Sequence, residues 1–334
     1  MRIVAAWGSV YRSMSSLSDA ATELHSNSWK NAMTTHILKP ATWHNILGTL
    51  EPALRCASGD TIVTETIDAI GIDRDDNVRG QRPNPLNGPI FVEGAEPGDA
   101  LRVEILRMTP TRGTGWTYGP LAPNVIDPDA VRSLPTRERV TWLIDRQMRT
   151  ARLENAPKDL EDFVLDLEPM IGCFGVAPAS GQALSTATSA ENGGNMDYRG
   201  FGVGTTVWFP VAVTGALFAL GDCHAVQGDG EIVGTGIETT FEVEVRLSVE
   251  KSRRITWPRG ETATDIFTVG NARPLDQALQ HATSEMLNWL TTEYGYSVMG
   301  ASHLLGQVVR YDVGNVFDPA YTMVCRVAKK WLRS

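Results

Sequence analysis

A chain of 334 residues with 42% hydrophobic side chains can bury a substantial core and fold without a partner. Its 39 acidic residues outnumber its 30 lysines and arginines, and the resulting net charge of −9 argues against nucleic acid or an anionic membrane as a partner. A small neutral substrate is compatible with this charge.

The sequence shows no targeting segment and no membrane span. The first thirty residues lack an apolar run with basic flanks and a small-residue cleavage site, and no stretch approaches the roughly 18 apolar residues that cross a membrane. The four cysteines lie far apart without a CxxC pair, which favours buried, reduced thiols over a zinc or redox motif. We therefore expect a soluble, cytoplasmic protein.

The first half of the chain is predicted to form an N-terminal arm followed by β-strands. Residues 1–33 are rich in Ser, Ala and Asn without strand alternation and are predicted to form an N-terminal arm. Residues 34–165 are predicted to form a β-rich domain. Its β-branched runs, separated by turn sequences, lie at 61–70, 89–92 and 100–108. Residues 140–153 fit either a helix or an extended edge strand.

The second half adds more strands and one clear helix. Residues 166–254 are predicted to form a β-barrel-like domain, with strand patterns at 205–213, 216–226 and 231–249. Residues 255–334 are predicted to form an α+β portion, because apolar residues recur at helical spacing from 275 to 290 before a final strand pattern at 320–327. The expected fold class is α+β, predominantly β, with a β-sandwich or barrel-like core.

The most informative segment is 215–249, where two strand patterns flank Gly228-Asp229-Gly230. An Asp-Gly pair is a strong signal for a two-residue hairpin turn, since such turns need positive φ. A turn of that length places even positions before it on the same face as odd positions after it. The odd positions of the second strand are apolar and the even ones, including Glu238, are charged, so the odd face is predicted to be buried.

Three polar residues fall on that predicted interior face, namely Asp222, His224 and Glu231. Burying them costs several kcal/mol each unless they are paired or bound to a cation. An imidazole with carboxylates suits zinc or another first-row divalent ion. From the residues alone, a hydrogen-bonded core histidine beside ordinary turn aspartates explains the pattern equally well.

At these residues a family resemblance becomes specific. Residues 221–231, GDCHAVQGDGE, resemble the GDxHxxQGDGE signature of the acetamidase/formamidase family. Three more segments resemble motifs of that family in the same order, namely NGPIFVEGAEPGDAL at 87–101, GCFGVAP at 172–178 and GGNMD at 193–197. Agreement of several ordered motifs over roughly residues 34–334 is far less expected by chance than one match.

The resemblance implies hydrolysis of short carboxamides such as formamide or acetamide, with relatives acting on lactams. It also implies a metal-containing site on a β-rich fold that forms homo-oligomers. It favours Asp68 as an oxygen ligand, and His44 lies where relatives have a histidine. In the GGNMD loop Asp197 is a candidate ligand or the cap of an Asx turn, and Gly194 and Asn195 are candidate substrate contacts, because glycine lets backbone approach a ligand closely.

The resulting hypothesis is hydrolysis of an amide, lactam or carbamate by a metal-activated water. The ion, zinc first and calcium as a second or structural ion, is expected on His44, Asp68, Asp197, Asp222 and His224. Such an ion lowers the pKa of its water from about 15.7 to about 7. Glu231 is the predicted general base and later proton donor, acting beside His224.

Two alternatives stay open at this point. In one, the carboxylates act without a metal beside Cys173, although no histidine or basic residue adjoins this thiol in sequence to activate it. In the other, the chain is a non-catalytic β-sandwich module whose Asp-rich segment binds calcium or a small ligand.

Overall fold

The structure is a computed structural model that describes residues 33–333. Apart from Met33, the predicted N-terminal arm lies outside the described residues. None of the helices in residues 33–333 is both long and apolar enough to cross a lipid bilayer.

Residues 33–333 contain 21 β-strands and three α-helices. The first ten strands are β1 (Thr35–Leu38), β2 (Ile46–Gly48), β3 (Leu54–Cys56), β4 (Thr61–Glu65), β5 (Leu86–Val92), β6 (Ala100–Pro110), β7 (Thr114–Gly119), β8 (Glu138–Asp145), β9 (Thr150–Leu153) and β10 (Val164–Asp166). The others are β11 (Met170–Gly175), β12 (Ala183–Ser185), β13 (Ser189–Ala190), β14 (Gly193–Asn195), β15 (Thr206–Pro210), β16 (Phe218–His224), β17 (Phe241–Glu250), β18 (Arg259–Glu261), β19 (Asp265–Ala272), β20 (Arg310–Asn315) and β21 (Tyr321–Ala328). The helices are α1 (Pro128–Val131), α2 (Leu275–Thr292) and α3 (Val298–Val308).

The largest sheet in this part of the chain has nine strands in the order β1-β4-β17-β6-β15-β18-β19-β21-β20. Its longest ladder joins β17 to β6 antiparallel over the whole of β17, whereas β1 and β4 run parallel. Strands from each of the three predicted segments contribute to it. The segment boundaries at 165 and 254 stay predictions.

A six-stranded sheet, β13-β14-β11-β16-β5-β3, packs against the nine-stranded one. Phe174 on β11 and Phe209 on β15 meet edge to face with ring centroids 5.1 Å apart, and both belong to one buried core. On β15 the adjacent Trp208 points to the opposite face, where its ring lies 6.0 Å from Trp289 of α2. Two sheets therefore form a sandwich, and α2 covers the outer face of the larger sheet.

Two smaller sheets complete the described part, β10-β9-β8-β7 and the pair β12-β2. Residues 140–153 thus belong to strands β8 and β9, which decides between the two predicted conformations. The predominantly β, α+β fold class is confirmed. No sheet within residues 33–333 closes into a barrel.

The predicted helix is confirmed as α2, which follows Pro274 and buries the apolar residues Ala278, Ala282, Met286 and Trp289. It lies unusually close to β19. A Cβ built on Gly270 of that strand would be 2.0 Å from the carbonyl oxygen of Ala278, so only glycine permits this approach.

The predicted hairpin is wrong. Strands β16 and β17 belong to different sheets, and residues 225–240 cross between them. The Asp-Gly pair forms a 3₁₀ turn at Asp229–Glu231, with φ +80° at Gly230 and +50° at Glu231. The positive φ that favours a hairpin is therefore used for a different turn. The predicted burial of the odd face of β17 is confirmed at Phe241, Val243, Val245 and Leu247.

Candidate metal centre and active site

Strand β16 positions the first two site residues, Asp222 and His224, in the middle of the six-stranded sheet. Asp222 has φ +53°, a left-handed conformation that costs energy and is common at functional sites. A Cβ on Gly172 of the neighbouring β11 would lie 2.5 Å from Asp197 Oδ1 and 3.2 Å from Asp222 Oδ2. Both carboxylates therefore need glycine at this position.

Two overlapping groups of potential ligands meet at His224. One contains Asp197, His224 and Glu231 and the other Asp222, His224 and Glu238, and in each the ligand atoms lie within 4.8 Å of one another. His224 Nε2 is 3.0 Å from Glu238 Oε1 and 3.5 Å from Asp222 Oδ1. All five residues are buried, with at most 6% of their surface exposed.

The orientation of the His224 ring is set by Gln227. The Gln227 Nε2 amide donates to the carbonyl oxygens of Asp197 and Gly314, so its Oε1 is the acceptor for His224 Nδ1 at 2.8 Å. The neutral imidazole then carries its proton on Nδ1 and presents a bare Nε2 lone pair to the carboxylates. Gly236 makes room for the ring, since its Cβ would be 2.4 Å from Nδ1.

Four buried polar atoms of this cluster have no hydrogen-bond partner among the described residues. They are Asp197 Oδ1, Asp222 Oδ1, His224 Nε2 and Glu238 Oε2. Acceptors gathered in this way repel one another unless protons or a cation lie between them. One imidazole nitrogen with carboxylate oxygens is a donor set that zinc and other first-row divalent ions accept. The residues therefore fit a metal ion.

An amide network supports the acidic cluster from the other side. Asn315 Oδ1 accepts from the backbone N–H groups of Phe317 and Asp318 at 2.7 and 3.0 Å, which points Nδ2 toward the carboxylates. This Nδ2 is 2.8 Å from Asp197 Oδ2 and 2.9 Å from Glu231 Oε2. It is also 2.6 Å from Asp318 Oδ2, so the two N–H bonds of this amide are shared among three acids.

Burial and the neighbouring charges raise the pKa values of three acids of the cluster. Burial and the nearby charges of Asp222 and Asp318 raise the pKa of Asp197 well above its usual range. Burial and Asp197 do the same to the pKa of Glu231. Burial raises the pKa of Glu238 to about 8 against the opposing effect of His224. The metal-free cluster therefore retains protons near neutral pH, which a bound cation displaces.

Burial and the neighbouring carboxylates have opposite effects on the pKa of His224. Burial alone lowers the pKa of its imidazole, but Glu238 and Asp222 outweigh burial and raise it well above the usual value. Metal binding requires the neutral ring. A cation must therefore displace this proton as well, and its affinity for the cluster rises with pH.

A pocket of about 480 Å³ opens onto the cluster. Asp222, Glu231 and Glu238 line one side of it together with Asp318. The residues that form the remaining walls are mainly aromatic, basic and amide side chains, namely Trp116, Tyr118, Phe317, Arg82, Arg137, Asn84 and Asn195. The acids thus face a space in the range of volumes that small-molecule sites have.

Comparison with known proteins identifies the family of this chain. The model of the acetamidase/formamidase family matches residues 27–182 and 177–318. The chain belongs to this family. An acetamidase of Mycolicibacterium smegmatis is 32% identical over an alignment of 241 residues, and the match covers 57% of this chain and 59% of that protein. The chain thus spans about three fifths of the length of this curated relative.

Solved structures of family members extend the match over nearly the whole fold. The acetamidase from Yersinia enterocolitica is 28% identical with a TM-score of 0.79, and the alignment covers 91% of this chain and 95% of that one. The acetamidase from Bacillus halodurans is 30% identical with a TM-score of 0.77, covering 89% and 98%.

The structure brings together four residues predicted from the family signature and its neighbouring loop, Asp197, Asp222, His224 and Glu231. His44 and Asp68 belong to neither ligand group of the described residues. His44 pairs with Leu86 through its backbone.

Asp68 forms a buried ion pair with Arg112. Its Oδ2 accepts from Arg112 Nη2 at 2.9 Å and Trp116 Nε1 at 3.1 Å. Its Oδ1 accepts from the backbone N–H groups of Ile70 and Ile72. Both oxygens are satisfied, and the residue holds Trp116 in the pocket wall.

The two candidate substrate contacts separate in the structure. Asn195 lines the pocket, where it donates to Asp318 Oδ2 and accepts from Asn84. Gly194 packs away from the pocket, since a Cβ there would be 2.5 Å from the carbonyl oxygen of Thr188 on the other side of a turn. Its φ of +110° explains the glycine by backbone conformation instead.

Cys173 is fully buried, and burial together with the charge of Asp222 raises the pKa of its thiol well above the usual value. A thiolate is the reactive form of cysteine. The metal-free alternative with a cysteine beside the acids therefore loses its support.

Sequence reasoning missed Glu238, Asn315 and Asp318. Glu238 is assigned by alternation to the outer face of a strand, but it precedes β17 and forms an isolated bridge with His224. Asn315 is the last residue of β20 and Asp318 follows that strand, so both lie far from the motifs in sequence. The Asn-x-x-Asp spacing after a glycine is the one available signal, and it is typical of any Asx turn.

Proposed function

We propose that this protein hydrolyses the C–N bond of a small carboxamide, releasing ammonia or an amine. The observation that supports it is a pocket lined by Asp222, Glu231 and Glu238. His224 Nε2 lies 3.0 Å from Glu238 and 3.5 Å from Asp222, in a chain of the acetamidase/formamidase family. Small-molecule sites typically combine such a pocket with a few convergent polar groups.

His224 Nε2, Asp222, Glu238 and Asp197 are the residues that would hold a divalent ion, with zinc the first expectation and calcium the second. When bound, such an ion polarises a carbonyl group and makes hydroxide available near neutral pH. Gln227 orients His224 for this role, as outer partners of metal-binding histidines generally do.

Glu231 is the proposed general base. Asn315 fixes its Oε2 at 2.9 Å, and the side chain lines the pocket next to the ligand cluster. Its carboxylate takes a proton from the attacking water as the water oxygen bonds to the carbonyl carbon. It then delivers that proton to the leaving nitrogen as the C–N bond breaks, which yields a carboxylic acid and ammonia or an amine.

The raised pKa of metal-free Glu231 is compatible with this role. Burial and the charge of Asp197 favour its protonated form, whereas a cation among the ligands favours the carboxylate. A base works best when its pKa is close to the working pH. The opposing effects of burial and of a bound cation bring Glu231 toward that range.

The experiment is an ammonia-release assay with formamide, acetamide, lactams and carbamates on protein of measured metal content. Glu231→Gln is expected to keep fold and metal and lose turnover by about 100-fold or more, and His224→Ala is expected to lose metal. Full activity of chelator-stripped protein would refute the metal part of the proposal. Absence of turnover on every substrate with metal bound would refute the hydrolase.

If the chain is a non-catalytic binding module, the cation is expected to be coordinated by oxygen atoms alone and to lie away from any substrate pocket. The ligand groups around His224 include an imidazole nitrogen and border a pocket of about 480 Å³, which favours the hydrolase. Assembly into a homo-oligomer stays a prediction from the family resemblance.

A further inference from the structure

Arg137 is a pocket cation that forms no salt bridge within residues 33–333. Its guanidinium lies 4.3 Å from the ring centroid of Tyr118 and 5.1 Å from that of Phe317, between the two aromatic walls. Its Nη1 is buried without a hydrogen-bond partner among the described residues. Arg112, by contrast, is paired with Asp68.

The position of Arg137 is fixed on several sides. It directly precedes β8, which pairs with the strand that contains Tyr118. A Cβ on Gly234 would lie 2.8 Å from Arg137 Nη2 and 2.7 Å from Phe317 Cε2, and φ at Gly234 is +73°. The backbone of the loop between β16 and β17 therefore packs closely against the guanidinium and restricts its position.

The half-buried guanidinium of Arg137 has the charge and the geometry to bind an anionic ligand group. Burial lowers the pKa of Arg137, opposed by the nearby Tyr118 and Glu231. Glu231 already accepts from Asn315 and belongs to the ligand cluster. Removing a charged group from water costs free energy unless an opposite charge compensates for it. A carboxylate suits a guanidinium because the two groups form two parallel hydrogen bonds. The missing partner is therefore expected to come from the ligand.

The size of the pocket leaves space for such a group. An amide with four heavy atoms fills roughly 120 Å³ if each atom takes about the 30 Å³ of a water molecule. The pocket measures about 480 Å³. A formamide or acetamide molecule would thus leave space in the pocket for a larger acyl group.

We infer that Arg137 binds a carboxylate on the acyl part of the substrate, so that monoamides of short dicarboxylic acids are the preferred substrate class. The inference rests on the proposed amide hydrolysis. The amide group then lies at Glu231 and the acids that contact His224, and the distal carboxylate lies against the guanidinium of Arg137. Arg137 is a specificity-determining residue that does not touch the reacting atoms.

The test compares two amides with the same number of carbon atoms, succinamate and butyramide, on metal-loaded protein. The wild type is expected to favour succinamate by about tenfold or more in kcat/KM. In Arg137→Met, kcat/KM for succinamate should fall by about 100-fold, mainly through KM, and the preference should disappear. Arg137→Lys keeps the charge without the planar fork and is expected to retain part of the preference.

The matched control is Arg139→Met, because Arg139 is an exposed arginine of β8 and is not among the residues that line the pocket. It should leave the ratio of the two kcat/KM values unchanged. A wild-type preference for butyramide, or an equal loss on both amides in Arg137→Met at unchanged melting temperature, would overturn the inference.

A separate readout distinguishes this failure from failure of the proposed function. If no amide is hydrolysed, the hydrolase proposal is wrong, and calorimetry with succinate and butyrate still tests Arg137. Succinate binding to the wild type that Arg137→Met abolishes supports the carboxylate site. Equal binding by both proteins, or no binding of succinate, overturns it.

Discussion

Replacing Gln227 by methionine removes the one group that orients His224 while keeping the length of the side chain. Three hydrogen bonds are lost, from His224 Nδ1 and to the carbonyl oxygens of Asp197 and Gly314. At about 1 kcal/mol for each bond, the unfolding free energy of the metal-free protein should fall by about 3 kcal/mol. Zinc affinity should fall by about 10–100-fold, the usual effect of losing an outer partner of a metal-binding histidine.

The assay is competition for zinc with a chromophoric chelator, with urea unfolding followed on the same samples. Gln147→Met is the matched control, because Gln147 is exposed and its side chain lies outside the site. Folded Gln227→Met protein that binds zinc as tightly as the wild type would refute the argument that Gln227 sets the imidazole for metal binding.

Three further predictions concern packing and charge. Gly172→Ala places a Cβ 2.5 Å from a carboxylate oxygen of the site, so metal content and turnover should fall strongly while stability drops by about 1–3 kcal/mol. Arg259→Met leaves Glu285 as an unpaired buried charge, and the unfolding free energy in urea should fall by about 3–5 kcal/mol. Burial opposes ionisation of Asp99, but hydrogen bonds from Lys251 and the backbone outweigh it and lower its pKa. Its contribution to stability is therefore complete above about pH 3.9 and is lost as pH falls through the lower folded pKa.

Each of these has a result that contradicts it. Wild-type metal content in Gly172→Ala would show that the two acids do not need the glycine. A change below about 1 kcal/mol in Arg259→Met would show that the buried pair contributes little. For the acid limb, Asp99→Asn should flatten the pH dependence of urea unfolding below pH 4 relative to the wild type, and an unchanged curve would assign the dependence to other carboxylates.

Strand alternation and helical spacing predicted the parts of the fold that depend on local pattern. The apolar face of β17 and the buried face of α2 follow from one-sided burial, which a sequence records directly. The partner of β16 does not follow from pattern. Gly230 has the positive φ that a hairpin requires, but the same freedom serves a 3₁₀ turn that lets the chain cross to the other sheet.

The sequence predicts those residues of the candidate site that lie on one motif or beside glycines, namely Asp222, His224, Glu231 and Asp197. Glu238 was misplaced because alternation was applied to a residue that precedes its strand. The hydrogen-bond partners of Asp68, Arg112 and Trp116, lie 44 and 48 residues away in the chain, so its ion pair does not follow from local pattern. Contacts at such separations depend on tertiary packing, which a single sequence does not record.

The most direct measurement is anomalous X-ray diffraction at the zinc absorption edge from crystals of zinc-loaded protein. A single strong peak is expected about 2.0–2.1 Å from His224 Nε2, with carboxylate oxygens of the cluster completing the coordination. Absence of a peak at His224 in crystals of protein that releases ammonia from an amide would contradict the account.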